Sequence, residues 1–206
     1  HERLGDFRVL VLEEHPYMDT GAAVRAGVNR VADALVSSGA RVERHSPLLP
    51  DLTEAAWLYT LLLFSGSVAR FPVDQYEELR TRAALLSAGD RSLDAARLRG
   101  MVLSHREWIE VTTRRELHRH GWRQLFGEFD AVVCPITPTP AFPHDHDPDL
   151  LGCRIDVDGV DYPFFDHLVW AGLATMPGLP ATAIPAGRSA GGLPVGVQTI
   201  GPAFED

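Results

Sequence analysis

Two histidines and two aspartates follow one another in the sequence as His144, Asp145, His146 and Asp147. Imidazole nitrogens and carboxylate oxygens are ligands that zinc accepts, so a metal-dependent hydrolase using His144 and His146 is one hypothesis. On an extended backbone, however, the two histidines would face opposite sides of the chain. The flanking prolines also favour an exposed loop. We therefore predict no metal site and keep the metal-dependent hydrolase as an alternative.

The candidate nucleophiles lack neighbours that would activate them. A serine hydroxyl is a weak nucleophile until an adjacent base removes its proton. Ser65 and Ser67 flank a single glycine within an apolar helical pattern, which favours packing over catalysis. Cys134 ends an apolar run beside a proline, with no histidine close in sequence, which favours a buried structural thiol. No catalytic residue is predicted in this sequence.

The elements that open the chain read as strand, helix and strand within residues 7–45. FRVLVL at 7–12 is typical of a buried strand, and Asp19 or Thr20 is the expected N-cap of the helix that follows. RVERH at 41–45 alternates as a strand does. The apolar stripe of the helix consists of Val24, Val28, Val31 and Leu35. Such a unit favours a parallel sheet.

Helical periodicity dominates residues 51–125, where Ser92 is predicted to cap a helix. Residues 130–202 form a region of strands and loops. Its strand candidates are AVVCP, ATAIP and PVGVQTI, with a hairpin expected around Asp158 and Gly159 and a short helix near 165–173. The sequence therefore predicts an α/β fold in which helices flank a mixed sheet.

The net charge of the chain is −9, and all 19 of its basic residues are arginine. An acidic surface repels phosphate backbones and anionic lipid headgroups, which argues against nucleic acid and membranes as partners. The longest apolar stretch falls short of the roughly 18 residues that a membrane span needs. No glycine-rich phosphate loop follows the first strand, and no cofactor is expected. Two reduced cysteines, Cys134 and Cys153, fit a cytoplasmic protein.

Three segments, in order, resemble the C-terminal half of the amidase-signature family. The most specific is GLPATAIPAGRSAGGLPVGVQTIGP at 178–202, with the Gly-x-Pro-Ala, Pro-x-Gly and Gly-Leu-Pro-x-Gly-x-Gln elements of that family. DAVVCPITPTPAF at 130–142 is similar to the buried strand and proline-threonine loop of the family. SSGARVERHSP at 37–47 is similar to the start of its C-terminal half. The resemblance implies that residues 1–206 are the C-terminal portion of an amidase domain.

The family hydrolyses carbon–nitrogen amide bonds with a serine nucleophile, a second serine in a cis peptide and a lysine base, all in its N-terminal half. Because this sequence has no lysine, the resemblance implies that the N-terminal catalytic portion is absent and that the chain alone is inactive. The chain would supply scaffold and pocket loops. Its expected partners are a small-molecule amide substrate, the missing N-terminal half and, through unpaired apolar faces, a second copy. A non-catalytic α/β binding module is the other alternative.

The substrate pocket is expected where loops follow strands. Ligands in open α/β sheets bind beyond the carboxyl ends of the strands, and the loop after AVVCP begins at such an end. We therefore expect the loops at 135–143 and 162–177 to line the pocket. The predicted substrate-binding residues are Thr137, Pro138, Phe165, Asp166 and Trp170, with Phe164 beside them. Gln198 is expected to bond to the backbone and not to the substrate.

Overall fold

The computed structural model describes residues 3–146 and 151–205. Its strands are β1 (Arg8–Val11), β2 (Arg41–Glu43), β3 (Ala131–Pro135), β4 (Arg154–Val157), β5 (Val160–Pro163), β6 (Ala181–Arg188) and β7 (Pro194–Ile200). Its helices are α1 (Ala22–Ser37), α2 (Leu52–Ser65), α3 (Val73–Ala84), α4 (Leu93–Met101), α5 (His105–Glu128) and α6 (Leu168–Thr175). Short 3-10 helices span Leu4–Asp6 and Phe164–His167.

One five-stranded sheet, in the order β2-β1-β3-β7-β6, organises the fold, and β4 and β5 form a separate hairpin. Strand β1 pairs in parallel with β2 and β3, whereas β7 runs antiparallel to both β3 and β6. The mixed sheet flanked by helices is therefore confirmed. AVVCP and PVGVQTI coincide with β3 and β7, and the predicted hairpin turns at Asp158 and Gly159.

Each face of the sheet carries its own apolar core because alternate side chains of a strand point to opposite faces. Val9 and Val11 pack on one face with α1, through Val24 and Val28 of the predicted stripe. The other face carries a larger cluster. Its members include Leu10, Trp122, Leu125, Val132, Val157, Trp170 and Ile200. Helix α1 thus covers one layer, and α5, α6 and the hairpin cover the other.

The helix starts differ in part from the prediction. Ser92 does cap a helix, since its hydroxyl accepts from the Ala95 N–H at 3.2 Å, but that helix, α4, ends at Met101. Helix α5 starts afresh with a capping box between Ser104 and Glu107. The expectation of a cap at Asp19 or Thr20 was wrong. The N-cap of α1 is Gly21, which has no side chain with which to cap the helix.

The start of α1 is capped from a distance. The Ala22 N–H donates to Asp158 Oδ2 at 2.6 Å, so the hairpin turn supplies the carboxylate that the local sequence lacks. Gly21 also donates its N–H to the Pro138 carbonyl at 2.8 Å. A Cβ at Gly21 would lie 2.9 Å from that carbonyl oxygen, so a side chain would disrupt this close approach.

Strand β6 is an edge strand of the sheet, and most of its residues are exposed. Within the described residues it pairs only with β7, and Ala181, Thr182 and Ala183 are exposed. A strand edge of this kind presents unpaired backbone groups to any other strand. Of the helices in the described part of the chain, none combines the length and hydropathy needed to cross a bilayer.

We expect Asp158→Gly to lower the free energy of unfolding by about 1 kcal/mol, the usual size of an N-cap contribution. Glycine accepts the φ of +53° at this position, so the loss would report the missing carboxylate and not backbone strain. Asp158→Asn keeps an acceptor oxygen and should lose less than half as much. Urea denaturation of the three proteins measures both effects. Equal stability of Asp158→Gly and the unaltered chain would contradict the remote cap.

Candidate functional site

Four segments converge beyond the carboxyl ends of β1 and β3. They are residues 12–21, the proline-rich loop 135–143, the β4–β5 hairpin and the segment 164–177. The hairpin is fastened to the first segment by the Tyr162 hydroxyl, which donates to Asp19 Oδ2 at 2.7 Å. The Gly21–Pro138 bond fastens the proline-rich loop to it as well. We refer to this region as the carboxyl edge.

His15 is buried at the carboxyl edge. Its Nδ1 accepts from the Tyr17 N–H at 3.2 Å, whereas Nε2 has no hydrogen-bond partner among the described residues. The ring meets that of Trp170 edge-on, with centroids 5.4 Å apart. Burial disfavours the charged imidazolium and lowers the pKa of His15 to about 4, so the ring is neutral at pH 7.

Trp170 lies in the interior and not on a surface that solvent reaches. It is 0% exposed. Its carbonyl accepts from Gln198 Nε2 at 2.9 Å, and the same nitrogen donates to the Pro135 carbonyl at 2.9 Å. The expectation that Gln198 bonds to the backbone is confirmed. Any role of Trp170 in substrate binding stays a prediction, and these contacts tie its helix to the end of β3.

Aromatic rings connect the two predicted pocket loops. Phe142, from the proline-rich loop, contacts Phe164 edge-on with centroids 5.8 Å apart. Phe164 lies against Phe165 at 5.4 Å, and Phe165 lies against Phe64 of α2 at 5.3 Å. Phe142 is 42% exposed whereas Phe64 is 7% exposed. The series of rings therefore runs from the surface of the carboxyl edge into the core.

The other predicted pocket residues are divided between two cavities. Thr137 lines a cavity of about 150 Å³ at the end of β3. Asp166 is buried and bonds to Arg97, which lines a second cavity of about 250 Å³ between α3 and α4. Pro138 is buried and is used by its carbonyl contact with Gly21. The structure therefore joins Phe165 to the proline-rich loop through Phe164, but does not bring Thr137 and Asp166 to one cavity.

Arg97 was missed by the sequence analysis. Its side chain is 7% exposed, and Nη1 donates to Asp166 Oδ1 at 2.6 Å. Asp94 forms a second ion pair with it. Desolvation raises the pKa of Asp166 above its usual value, while the guanidinium opposes that rise. Burial of Arg97 is signalled only weakly by its neighbours Ala95 and Ala96, because its partner lies 69 residues away in the chain.

The candidate nucleophiles are engaged elsewhere. Cys134 is 0% exposed, and burial raises the pKa of its thiol to about 12, which suppresses the reactive thiolate. The Ser65 hydroxyl donates to the Leu62 carbonyl at 2.7 Å. The Ser67 hydroxyl donates to a neighbouring helical carbonyl at 2.8 Å. Neither serine contacts a base in these hydrogen bonds.

The rings of His144 and His146 lie 5.9 Å apart on an exposed segment. Asp147, which completes the predicted ligand set, lies outside the described residues. Within residues 3–146 and 151–205, no group of three or more histidine, cysteine, aspartate or glutamate side chains is placed to share a metal ion.

Comparisons with known proteins identify the relatives of this chain. A family model described as Amidase matches residues 1–206. A glutamyl-tRNA(Gln) amidotransferase subunit from an Exiguobacterium species is 29% identical over 208 residues, covering 92% of this chain and 41% of the relative. Indoleacetamide hydrolase of Bradyrhizobium japonicum is 25% identical over 202 residues, covering 95% of this chain and 39% of the relative. The chain thus spans about two fifths of these relatives.

A solved structure supports the same fold. The corresponding glutamyl-tRNA(Gln) amidotransferase subunit from Thermotoga maritima superimposes with a TM-score of 0.65 and 23% identity. It covers 100% of this chain, which in turn covers 41% of that structure. The mixed sheet and its helices are accordingly those of one part of a larger fold.

We expect the chain to lose up to about 3 kcal/mol of stability through His15 as the pH falls from 6.5 to 4. The unfolded chain takes up a proton below pH 6.5, whereas folded His15 resists protonation until about pH 4. Stability from this group is therefore complete above pH 6.5 and is lost on acidification. His15→Gln should flatten this part of the urea-derived stability profile, and His45→Gln, at an exposed histidine, should not. Parallel profiles for His15→Gln and the unaltered chain would contradict burial of the neutral ring.

Proposed function

The chain belongs to the amidase family, and we propose that it forms one part of an amidase that hydrolyses carbon–nitrogen amide bonds through a serine nucleophile. The observation that carries the proposal is the family match along all of residues 1–206. The names of two relatives, an indoleacetamide hydrolase and a glutamyl-tRNA(Gln) amidotransferase, both refer to amide chemistry.

The proposed division of labour follows from the side chains that are present. Serine catalysis of this type needs a base beside the nucleophile. In the amidase-signature family, which this sequence resembles, that base is a lysine. No lysine occurs in the sequence, and the hydroxyls of Ser65 and Ser67 are bonded to helical carbonyls. We therefore propose that the nucleophile and its base lie in a further segment, which corresponds to the three fifths of the relatives that this chain does not match. This chain contributes scaffold and pocket walls, and is inactive alone.

We assign the pocket walls to the carboxyl edge. Thr137 and Phe165 lie in the two segments that the ring series connects, which supports a role for both in substrate contact. Asp166 is held by Arg97 at the second cavity, so the polar substrate group that we propose for its carboxylate is a different one from the group that meets Thr137. Trp170 and Pro138 act indirectly. Their carbonyls accept hydrogen bonds from Gln198 and Gly21, and these bonds fix the backbone of the pocket walls.

The remainder of the amidase is the proposed partner for the exposed side of β6. Pairing would satisfy the outer backbone groups of β6 and cover Ala181, Thr182 and Ala183. A second copy of the chain could occupy the same edge when the remainder is missing, which would give a homo-oligomer.

We expect purified residues 1–206 to hydrolyse no amide above background and to take up no fluorophosphonate, because the sequence has no lysine to act as the base and the hydroxyls of Ser65 and Ser67 are bonded to helical carbonyls. The complete protein should take up about one equivalent of the probe, on a serine outside this segment. Intact-mass spectrometry and peptide mapping measure both. Stoichiometric labelling of the isolated chain would contradict the division of labour, and an unlabelled, inactive complete protein would contradict amide hydrolysis by a serine.

We also expect the isolated chain to associate with itself in a concentration-dependent manner through β6. Thr182→Arg should shift the light-scattering mass toward the monomer, since a charged side chain on an exposed strand opposes pairing between edges. Thr113→Arg makes the same change at an exposed site on α5 and should have no effect. A monomer at all concentrations, without exposed apolar surface by dye binding, would count against the proposed docking edge.

A further inference from the structure

A cavity of about 380 Å³ opens among the helices α2, α3, α4 and α5. Its described lining comes from residues 57–114, so it is separate from the segments that form the carboxyl edge. Small-molecule pockets measure about 300–1,000 Å³ and have mostly apolar walls with a few polar groups. The apolar walls of this cavity are Trp57, Leu61, Ala83, Val102, Leu103 and Val111.

The apolar walls can be reached from solvent. Trp57 and Leu61 are buried and form the deep wall, whereas Val102 and Leu103 are only half-buried. The side chain of Arg114, on the rim, is 44% exposed. A ligand can therefore contact the walls without a rearrangement of the core.

The face of the Trp57 ring is already covered by two arginine side chains. The guanidinium carbon of Arg91 lies 4.2 Å from the ring centroid, and that of Arg99 lies 5.4 Å from it. An indole face attracts cations, and these two groups satisfy that attraction within the chain. A cationic ligand would have to displace an arginine to reach the ring face, which disfavours cations as ligands.

Two carboxylates on the rim disfavour anions. Glu107 and Glu110 both line the cavity. The Glu107 carboxylate accepts from the Ser104 N–H at 2.8 Å, and the Glu110 carboxylate accepts from Arg106 Nε at 3.3 Å. Both acids are thereby held in the ionised form, which repels an anion that approaches the cavity.

The two guanidinium groups of the rim are bonded to other acceptors. Arg99 donates to the carbonyls of Ser87 and Asp90, both at 2.6 Å, and Arg114 forms an ion pair with Glu54. An anion that entered the cavity would lose hydration and would have to compete with these acceptors. An uncharged ligand meets neither cost.

We propose that this cavity is a binding site for an uncharged, mainly apolar small molecule of about the size of two fused rings. The bound molecule would contact several helices at once and stabilise their packing. The inference does not depend on the proposed function, because the site is separate from the carboxyl edge and takes no part in amide hydrolysis.

Three probes with one ring system and different charges test the proposal on residues 1–206. They are 2-naphthylmethanol, 2-naphthoate and 2-naphthylmethylammonium. The alcohol should shift the NMR methyl signals of Leu61, Val102 and Val111 and bind at least about five-fold more tightly than either ion. Ala83→Phe should weaken binding of the alcohol at least about five-fold by filling the cavity. Ala84→Phe, the same change at the exposed neighbouring position, should leave it unchanged.

Glu110→Gln is a second variant, at an exposed site where folding should not be disturbed. Removal of one rim carboxylate should tighten binding of 2-naphthoate about three-fold and leave binding of the alcohol unchanged. Glu116→Gln also removes an exposed glutamate that pairs with an arginine on α5, and it should change neither. A melting temperature for each variant confirms that it is folded.

Tighter binding of either ion than of the alcohol, methyl shifts confined to other parts of the chain, or full binding by folded Ala83→Phe would each overturn the proposal. The same titration on the complete protein should give the same order of affinities. Loss of binding there would show that the remainder of the amidase covers the cavity, which would also overturn the proposal. Amide hydrolysis is measured separately, so the binding site and the proposed function can fail independently.

Discussion

The carboxyl edge depends on the side-chain amide of Gln198, which is buried within the sheet. One nitrogen of this amide donates to the carbonyl that ends β3 and to the Trp170 carbonyl in α6, both at 2.9 Å. A buried amide left without partners would cost about 1–3 kcal/mol, so the two carbonyls and Gln198 constrain one another. The proline-rich loop leaves β3 at this point, and the direction in which it leaves is thereby set by β7 and α6 together.

Two other buried polar sites avoid the cost of an unpaired buried charge in different ways. Arg97 and Asp166 form an ion pair that fixes the 3-10 helix to α4, and removal of Arg97 would leave the Asp166 carboxylate as an uncompensated charge in the interior. His15 is neutral instead, because burial removes water from the imidazolium and so lowers the pKa of the ring. The Arg97–Asp166 pair thus puts charged groups beside a cavity. Neutral His15 leaves the region between β1 and α6 without a charge.

The contrast between the carboxyl edge and strand β6 bears on the proposed division of labour. At the carboxyl edge, loops are fastened to one another by hydrogen bonds from Gly21, Ala22 and Tyr162. Strand β6, by comparison, exposes most of its residues and lacks a neighbour within the described chain on its outer side. A pocket wall that is preorganised within one segment loses little freedom when a substrate or a further segment binds. An open strand edge can accept that further segment with main-chain hydrogen bonds.

The sequence by itself determined the elements whose side chains repeat with a local period. AVVCP, PVGVQTI and the stripe from Val24 to Leu35 each specify a strand or a helix face, and the ordered motifs from 37–47 to 178–202 specify the family. Only the tertiary structure decided which polar groups meet. The Arg97–Asp166 pair spans 69 residues and the Ala22–Asp158 cap spans 136, so neither leaves a local pattern. Burial of Trp170 was decided in the same way, because a residue on a short apolar helix becomes core or surface according to which elements the topology packs against it.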